Sequence, residues 1–214
     1  DVLSRMIYGT RTTFELSILV VALTSTFGVF IGIIAGYFRG VIDEILMRLI
    51  DVLLAFPSII LALVIIGALG PGMINTIVAI SLVGWLFYAR VARATTLSIR
   101  EKEYIEGARA MGCSDGYICL RYVLPNCLPP IIVLMTLNLG SVILSIAALG
   151  YLGLGAQPPT PEWGSMLNEG REYLRDCPWL CVFPGLMIML AVLAFNFIGD
   201  GLRDAIDPRQ MVIK

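Results

Sequence analysis

Long runs of residues without any charge constrain this chain more than any other feature. One run extends from Leu16 to Phe38 and another from Val52 to Ala89. A helix needs about 20 predominantly apolar residues to cross the ~30 Å hydrocarbon core of a bilayer. Only 14% of the residues are charged, against about 25% in soluble domains. The sequence therefore predicts an all-α integral membrane protein.

The positions of these runs predict five transmembrane helices in this fragment. The run from Val52 to Ala89 is too long for one helix, and Gly70-Pro71-Gly72 divides it into two rather short spans. Pro57 is expected in the first turns of its helix, where it can kink the chain. The predicted spans cover about residues 16–38, 52–69, 73–89, 129–149 and 179–199.

Three glycines in the first predicted span follow one another at intervals of four residues. They are Gly28, Gly32 and Gly36, and residues at this spacing share one face of a helix. Small residues repeated in this way let the backbones of two membrane helices approach closely. We therefore expect another helix to pack tightly against this face.

The distribution of Lys and Arg predicts which side of the membrane each loop occupies. Cytoplasmic loops carry an excess of these residues. If the N-terminal segment and residues 151–178 are outside, four basic residues lie outside, namely Arg5, Arg11, Arg171 and Arg175. Eleven then lie inside: Arg39, Arg48, Arg90, Arg93, Arg100, Lys102, Arg109, Arg121, Arg203, Arg209 and Lys214. This bias predicts that residues 101–125 and the charged C-terminal tail, from Asp200, are cytoplasmic. The outer loop, 151–178, is expected to contain an amphipathic helix from Ser165 to Asp176.

The charged segment 101–125 is predicted to form a helix, a sharp turn and a second helix. Good helix formers extend to Met111, with Glu106 and Arg109 on a polar face. Gly112 can adopt the left-handed conformation that ends a helix. The turn is followed by a capping serine, a second short helix and an early helical proline, at Ser114, Asp115 and Pro125. Such a unit at a membrane surface is suited to docking a partner.

This segment also resembles the EAA loop of ATP-binding-cassette importer permeases. Glu106-Gly107-Ala108, Gly112 and Leu124-Pro125 have the spacing of that pattern, with Tyr122 where the family has Ile. In the family this loop seats in a groove of the cytoplasmic ATPase. The resemblance implies that the ATPase-coupling residues are Glu106, Gly107, Ala108, Arg109, Met111, Gly112, Leu124 and Pro125. The alternative is an ordinary surface helix–turn–helix that joins two spans.

Three further segments resemble the dipeptide, oligopeptide and nickel permeases, and in particular their second permease subunit. They are Asp1–Arg5, the loop Leu152–Gly164 and the tail segment Asn196–Asp204. The resemblance implies one more span before Asp1 and a place in the cell membrane of a prokaryote. It also implies three kinds of partner: a second homologous permease subunit, two cytoplasmic ATPase subunits that hold ATP and Mg²⁺, and an extracytoplasmic substrate-binding protein. No cofactor is expected in this subunit.

The sequence offers no constellation suited to catalysis. It contains no His, and its acidic residues lie at the edges of the predicted spans. Gly199-Asp200 lacks the second aspartate that an intramembrane aspartyl enzyme would need in a neighbouring span. The five cysteines lack metal-type spacing, and Cys177 and Cys181 are expected to be free. The net charge of −1 gives no reason to expect nucleic acid. We therefore expect a transport subunit that contacts the lipid bilayer and is not an enzyme.

A row of polar residues in the fourth predicted span is a candidate translocation path. Asn138, Ser141 and Ser145 lie within about 60° of one helix face at ~3.6 residues per turn. Asn196 and Asn75 are weaker candidates of the same kind. Polar groups inside a membrane usually face a bundle interior or a water-filled path. The alternative is hydrogen bonding between packed helices.

Together these patterns predict the transmembrane permease subunit of an ATP-driven, binding-protein-dependent importer. Di- or oligopeptides are the favoured cargo, because the neutral path lacks the imidazole or carboxylate ligands that a naked metal ion requires. Nickel or another chelated metal stays open. An alternative of another class is an ion-coupled secondary transporter, which would need a midplane charge or a broken helix to hold its ion.

Overall fold

The computed structural model describes residues 1–206, and the regular structure in this part of the chain is helical throughout. The helices are α1 (Val2–Phe38), α2 (Gly40–Leu54), α3 (Ser58–Leu69), α4 (Met73–Arg100), α5 (Glu103–Ala110), α6 (Asp115–Ile118), α7 (Leu124–Tyr151), α8 (Trp163–Gly170) and α9 (Trp179–Ile206). Four helical stretches are long and apolar enough to cross a membrane, and the bent pair α2–α3 can make a fifth crossing. The predicted all-α membrane fold is confirmed.

The glycine repeat in α1 forms a very close helix contact with α4. A Cβ on Gly28 or Gly32 would lie 2.4 Å from the carbonyl oxygen of Trp85 or Ala89, respectively. A Cβ on Gly36 would lie 2.8 Å from the Cβ of Thr96. The predicted close approach is confirmed, and the structure identifies α4 as the partner. The residue numbers of the contacting pairs rise together along the two helices, from Gly28 with Trp85 to Gly36 with Thr96. Helices α1 and α4 therefore run parallel.

The helices place the loops at two opposite ends of the bundle. At one end, which we call the α8 end, Gly72 donates its N–H to the carbonyl of Leu154 (3.1 Å). At the other, the α5 end, Tyr37 donates its hydroxyl to Asp115 (2.6 Å). Because α1 and α4 both run from the α8 end to the α5 end, the chain between them must return across the bundle. The pair α2–α3 is therefore a fifth crossing.

The second predicted span, 52–69, is wrong as a single helix. Helices α2 and α3 meet at an angle of 89°, and Pro57 is the N-cap residue of α3. Proline lacks the N–H that a continuous helix needs and disfavours helical backbone in the preceding residue. Helix α3 has 12 residues, or about 18 Å, so it cannot span the ~30 Å core alone. Helix α2 is held against α4 by ion pairs, since Asp43 is paired with Arg93 and Asp51 with Arg90.

The other four predicted spans each lie within a longer helix. Helix α1 begins at Val2, 14 residues before the predicted start at Leu16, and α4 continues to Arg100. Helix α9 extends past Gly199 to Ile206, so Asp200 and Asp204 lie on its last turns. Charged residues mark the limits of the hydrocarbon core, whereas a helix can continue into water. Arg209 and Lys214 of the predicted tail lie outside the described residues.

The fourth span is part of a longer helical stretch. Residues 115–151 form one stretch of 37 residues, which contains a π-helical turn at Cys119–Val123. Leu124 donates its N–H to the carbonyl of Cys119, five residues back. Pro125 cannot donate to the carbonyl of Arg121, and the wider turn lies where this donor is missing. Pro129 and Pro130, the predicted start of the span, are inside α7.

Candidate docking surface and membrane cavity

The predicted helix–turn–helix is present at the α5 end. Helix α5 starts at Glu103, two residues later than expected. Gly112 has φ 80° and donates its N–H to the carbonyl of Arg109 (2.9 Å), while Cys113 donates to Ala108 (3.1 Å). These two bonds define a Schellman motif. Ser114 accepts the N–H of Tyr117 (3.4 Å) as the cap of α6, so the predicted roles of Gly112 and Ser114 are confirmed.

Contacts with α1 fix the orientation of this unit. The guanidinium of Arg109 lies 5.2 Å from the ring centroid of Tyr37, a distance suited to a cation–π interaction. The hydroxyl of Tyr37 bonds to Asp115 on α6. One tyrosine at the end of α1 therefore holds both α5 and α6, and Arg109 is engaged within the chain as well as being exposed.

The outward side of the unit carries large apolar side chains beside its charges. Met111 is 76% exposed, Leu120 70%, Tyr117 51% and Tyr104 47%, and Glu106 is exposed with them. Exposed apolar patches of this kind mark protein interaction sites. We call these five residues the α5–α6 surface. Sequence reasoning missed Tyr104, Tyr117 and Leu120, although the three-residue spacing of apolar Ile105 and Ala108 indicates which face of a helix is turned inward.

Most of the predicted coupling residues are exposed, and two are not. Glu106, Gly107, Arg109, Met111, Gly112 and Pro125 are exposed at the α5 end. Ala108 is 1% exposed, and Leu124 packs against the core cluster that contains it. These two residues can therefore act only from within the fold. Both side chains serve packing: the small side chain of Ala108 fits beneath α5, and that of Leu124 fills space at the start of α7.

A continuous apolar core joins the α5–α6 surface to the membrane helices. Ile105 and Ala108 of α5 belong to the same buried cluster as Ile118 of α6 and Tyr88 of α4. The cluster also includes Val29, Ile33, Tyr37, Ala92, Ile99, Val123, Cys127 and Ile131. Close-packed interiors transmit displacement because they contain few voids. A force on α5 would therefore reach α1, α4 and α7.

The polar row of α7 lines a cavity between helices α1, α3, α4 and α7. Asn138, Ser141 and Ser145 all contribute to it, as their common helix face predicts, and Thr24 and Tyr88 face them. The remaining lining consists of Val20, Ser58, Ile59, Ala62, Ile80, Val83, Gly84, Phe87, Val142 and Leu149. We call this space the Asn138 cavity. None of the described residues that line it is charged or is a cysteine.

The two weaker candidates lie elsewhere. Asn196 is not part of the Asn138 cavity and lies beside Gly140, on the α7–α9 contact. Asn75 donates its amide to the carbonyls of Leu69 and Gly70, both at 3.0 Å, and so stabilises the turn between α3 and α4. Asn196 lies outside the Asn138 cavity, and its place on the translocation path stays a prediction.

The volume of the Asn138 cavity limits what it can hold. It measures about 130 Å³, whereas pockets that enclose small molecules occupy roughly 300–1,000 Å³. This chain by itself therefore offers room for a few functional groups and not for a whole peptide.

At the α8 end, the structure corrects the predicted outer helix. Helix α8 covers Trp163–Gly170 and a 3₁₀ turn covers Arg171–Tyr173, in place of one helix from Ser165 to Asp176. The N-cap is Glu162, which is fully buried and accepts the N–H groups of Gly164 (2.8 Å) and Ser165 (2.9 Å). Burial raises the pKa of Glu162, and it outweighs these two hydrogen bonds, which lower the pKa.

Helix α8 is inserted into the bundle and does not lie on its surface. Trp163 is 1% exposed and donates its indole N–H to the carbonyl of Met6 on α1 (3.2 Å). A Cβ on Gly164 would lie 2.4 Å from the carbonyl oxygen of Ala147 on α7. The first turn of α8 therefore contacts both α1 and α7 and holds them together at the α8 end.

Replacement of Glu162 by alanine should destabilise the fold. The N–H groups of Gly164 and Ser165 would lose their acceptor in a buried site, which costs about 1–3 kcal/mol for each unsatisfied group. Thermal unfolding of the detergent-purified protein measures the effect. The control is Glu172→Ala, which removes an exposed carboxylate from the same loop. Equal midpoints for the two variants would contradict the capping role.

Comparison with known proteins agrees with these features. Residues 28–212 match the family model described as "Binding-protein-dependent transport system inner membrane component". The dipeptide transport system permease protein DppC of Alkalihalophilus pseudofirmus is 47% identical over 98% of this chain and 69% of its own length. DppC of Haemophilus influenzae (71% of its length) and the glutathione transport system permease protein GsiD of Pectobacterium atrosepticum (69%) are each 44% identical over 98% of this chain.

Solved structures show the same fold. Two crystal forms of the MetNI methionine ABC transporter, both described as inward facing, match with TM-scores of 0.73 and 0.75 at 21% and 20% identity. The matches cover 96% and 95% of this chain, and 97% and 96% of the transporter chains. The chain therefore belongs to the family of inner membrane components of binding-protein-dependent transport systems.

Proposed function

We propose that this chain is the transmembrane permease subunit of an ATP-driven importer of di- or oligopeptides. The observation that carries the proposal is the 47% identity over 98% of the chain to a dipeptide permease. Its partners are a second homologous permease subunit, two cytoplasmic ATPase subunits that bind ATP and Mg²⁺, and an extracytoplasmic substrate-binding protein. The small volume of the Asn138 cavity supports the need for the second permease subunit, which would supply the other half of the path.

The mechanism is a switch between two packings of the membrane helices. ATP binding draws the two ATPases together, and the α5–α6 surface moves with them. The buried cluster that contains Ile105 and Tyr88 passes this movement to α1, α4 and α7. These helices then alternate between packings open to either side of the membrane.

This mechanism requires the α5 end to be cytoplasmic, which cysteine labelling can test. In a background with all five native cysteines replaced by alanine, single cysteines are placed at the exposed positions Glu106 and Glu172. A membrane-impermeant thiol reagent added to intact cells should label Glu172→Cys and spare Glu106→Cys. Permeabilised cells, in which both should react, provide the control. Labelling of Glu106→Cys in intact cells would reverse the orientation.

The chemistry of the Asn138 cavity supports a neutral peptide cargo over a free metal ion. Its lining provides hydroxyls and an amide but no carboxylate, thiolate or imidazole, which are the ligands that transition metals prefer. The 44% identity to glutathione permeases makes a tripeptide the second candidate. Competition of unlabelled glutathione, chelated nickel and a mixture of peptides against a labelled dipeptide in the reconstituted importer distinguishes these cargoes. A dipeptide signal displaced by none of the peptides would exclude the proposal.

A further inference from the structure

The hydroxyl of Tyr88 makes no hydrogen bond within the described part of the chain. The residue is 1% exposed, and within residues 1–206 its hydroxyl oxygen is buried without a hydrogen-bond partner. Native proteins satisfy the large majority of buried polar groups, since an unpaired one costs about 1–3 kcal/mol. Phenylalanine would fill the same space without this cost. The packing of the described residues therefore does not account for the presence of this hydroxyl.

The surroundings of Tyr88 hold its ring in place. It lies at the α1–α4 contact, where a Cβ on Gly28 would be 2.6 Å from the Cβ of Tyr88. The ring lines the Asn138 cavity, and the side chains of Thr24 and Asn138 lie near its hydroxyl without making a hydrogen bond of ordinary geometry to it. Three different helices therefore bring their polar groups to one part of the cavity wall.

These polar groups have complementary hydrogen-bonding capacities. Thr24 already donates its proton to the carbonyl of Val20 (2.8 Å), so it can only accept. The amide of Asn138 can donate and accept, and the Tyr88 hydroxyl keeps a proton to donate. A peptide bond presents one N–H and one C=O and has no charge. Each polar group of a peptide bond would therefore find a partner in this part of the cavity.

We propose that the Tyr88 hydroxyl determines cargo specificity by donating a hydrogen bond to a backbone carbonyl of a peptide in transit, beside Asn138. The inference rests on the proposed peptide-import function and adds the residue and the functional group that it recognises. The cavity of about 130 Å³ admits a single peptide unit, so recognition depends on the backbone and not on the side chains of the cargo. Such a contact suits a carrier of peptides that differ in sequence.

The test is the Tyr88→Phe variant in the complete reconstituted importer with saturating binding protein. Two labelled cargoes are compared: alanyl-alanine and its thioamide analogue, in which sulfur replaces the carbonyl oxygen and accepts hydrogen bonds weakly. The affinity of the binding protein for each cargo is measured separately, so that its own preference can be subtracted. The control is Tyr8→Phe, because Tyr8 lies on the same bundle and is 68% exposed.

The unmodified complex should import alanyl-alanine faster than the thioamide. Tyr88→Phe should lower alanyl-alanine uptake roughly fivefold, as expected for the loss of one neutral hydrogen bond, and should abolish the preference between the cargoes. Its thermal midpoint should equal or exceed that of the parent, because an unpaired hydroxyl has been removed. Tyr8→Phe should leave the uptake of alanyl-alanine, the preference between the cargoes and the thermal midpoint unchanged.

Three results would overturn the inference while peptide import itself stands. They are full uptake by Tyr88→Phe, an equal loss for both cargoes, and a lowered thermal midpoint, which would show that the hydroxyl bonds within the protein. If the unmodified complex imported neither peptide, the proposed function would fail, and this inference with it.

Discussion

Replacing Gly32 by alanine should prevent α1 and α4 from packing, although it adds a single methyl group. The new Cβ would lie 2.4 Å from the carbonyl oxygen of Ala89, 2.7 Å from the Cβ of Ala92 and 2.9 Å from the backbone nitrogen of Arg93. Two of these three atoms are backbone atoms, so no side chain can rotate to make room. Overpacking of a tight core costs about 1–3 kcal/mol and occasionally more. We expect a large loss of folded, membrane-inserted protein.

A matched substitution separates this effect from a general intolerance of alanine. Gly67 lies inside α3, and within residues 1–206 a Cβ there would have no atom within 4 Å apart from the backbone of its own helix. Gly67→Ala should therefore leave stability unchanged or raise it by up to about 1 kcal/mol, since alanine favours helix. The yield of purified complex and its thermal midpoint provide the comparison. If Gly32→Ala were as stable as Gly67→Ala, the α1–α4 contact would be wrong.

Replacing Gly112 by valine should disrupt the stimulation of ATP hydrolysis by loaded binding protein. A residue with a Cβ costs about 1–2 kcal/mol in the left-handed region, and β-branching adds to this strain. Among the described residues, no atom beyond the adjacent ones lies within 4 Å of a Cβ at this position, so the effect comes from the backbone alone. The strain would open the Schellman motif and displace α5 with its α5–α6 surface. We expect at least a tenfold loss of the ATPase activity that loaded binding protein stimulates.

Asparagine at the same position is the control for Gly112→Val. It tolerates the left-handed conformation better than other residues with a Cβ, so Gly112→Asn should retain most of the stimulated hydrolysis and uptake. Docking of the binding protein at the α8 end should persist in both variants. Equal activity of Gly112→Val and the unmodified complex would show that this segment is only a connector between two spans.

The parts of this structure that were predicted correctly depend on short stretches of chain. The turn at Gly112 and the cap at Ser114 are local backbone events that a few neighbouring residues determine. The glycine repeat of α1 and the polar row of α7 were also visible, because each belongs to one helix with one periodicity. Their partners were not predicted, since no pattern within α1 identifies α4 as the helix that it meets.

The errors arose where distant segments decide the outcome. The break at Pro57 was underestimated because nothing local shows that α2 is held by ion pairs with α4. The burial of Ala108 was not predicted either, because the core beneath α5 decides it. Burial of Glu162 and the unpaired hydroxyl of Tyr88 depend on three or more helices at once. No periodicity in the sequence reports such a convergence.

The break between α2 and α3 also bears on the energy source. Ion-coupled transporters use discontinuous helices to hold their ions, and the 89° bend is a discontinuity of that kind. Asp51, the acidic residue nearest the break, is paired with Arg90 and so is not free to hold a cation. The family assignment and the paired aspartate both favour ATP as the energy source.

The most direct test of this account measures which energy source drives uptake. The complete importer is reconstituted in proteoliposomes with loaded binding protein on the side of the α8 end and ATP on the side of the α5 end. Uptake of a labelled dipeptide should require ATP and should continue when ionophores abolish the sodium and proton gradients. Uptake without ATP that stops when a gradient is collapsed would contradict the account.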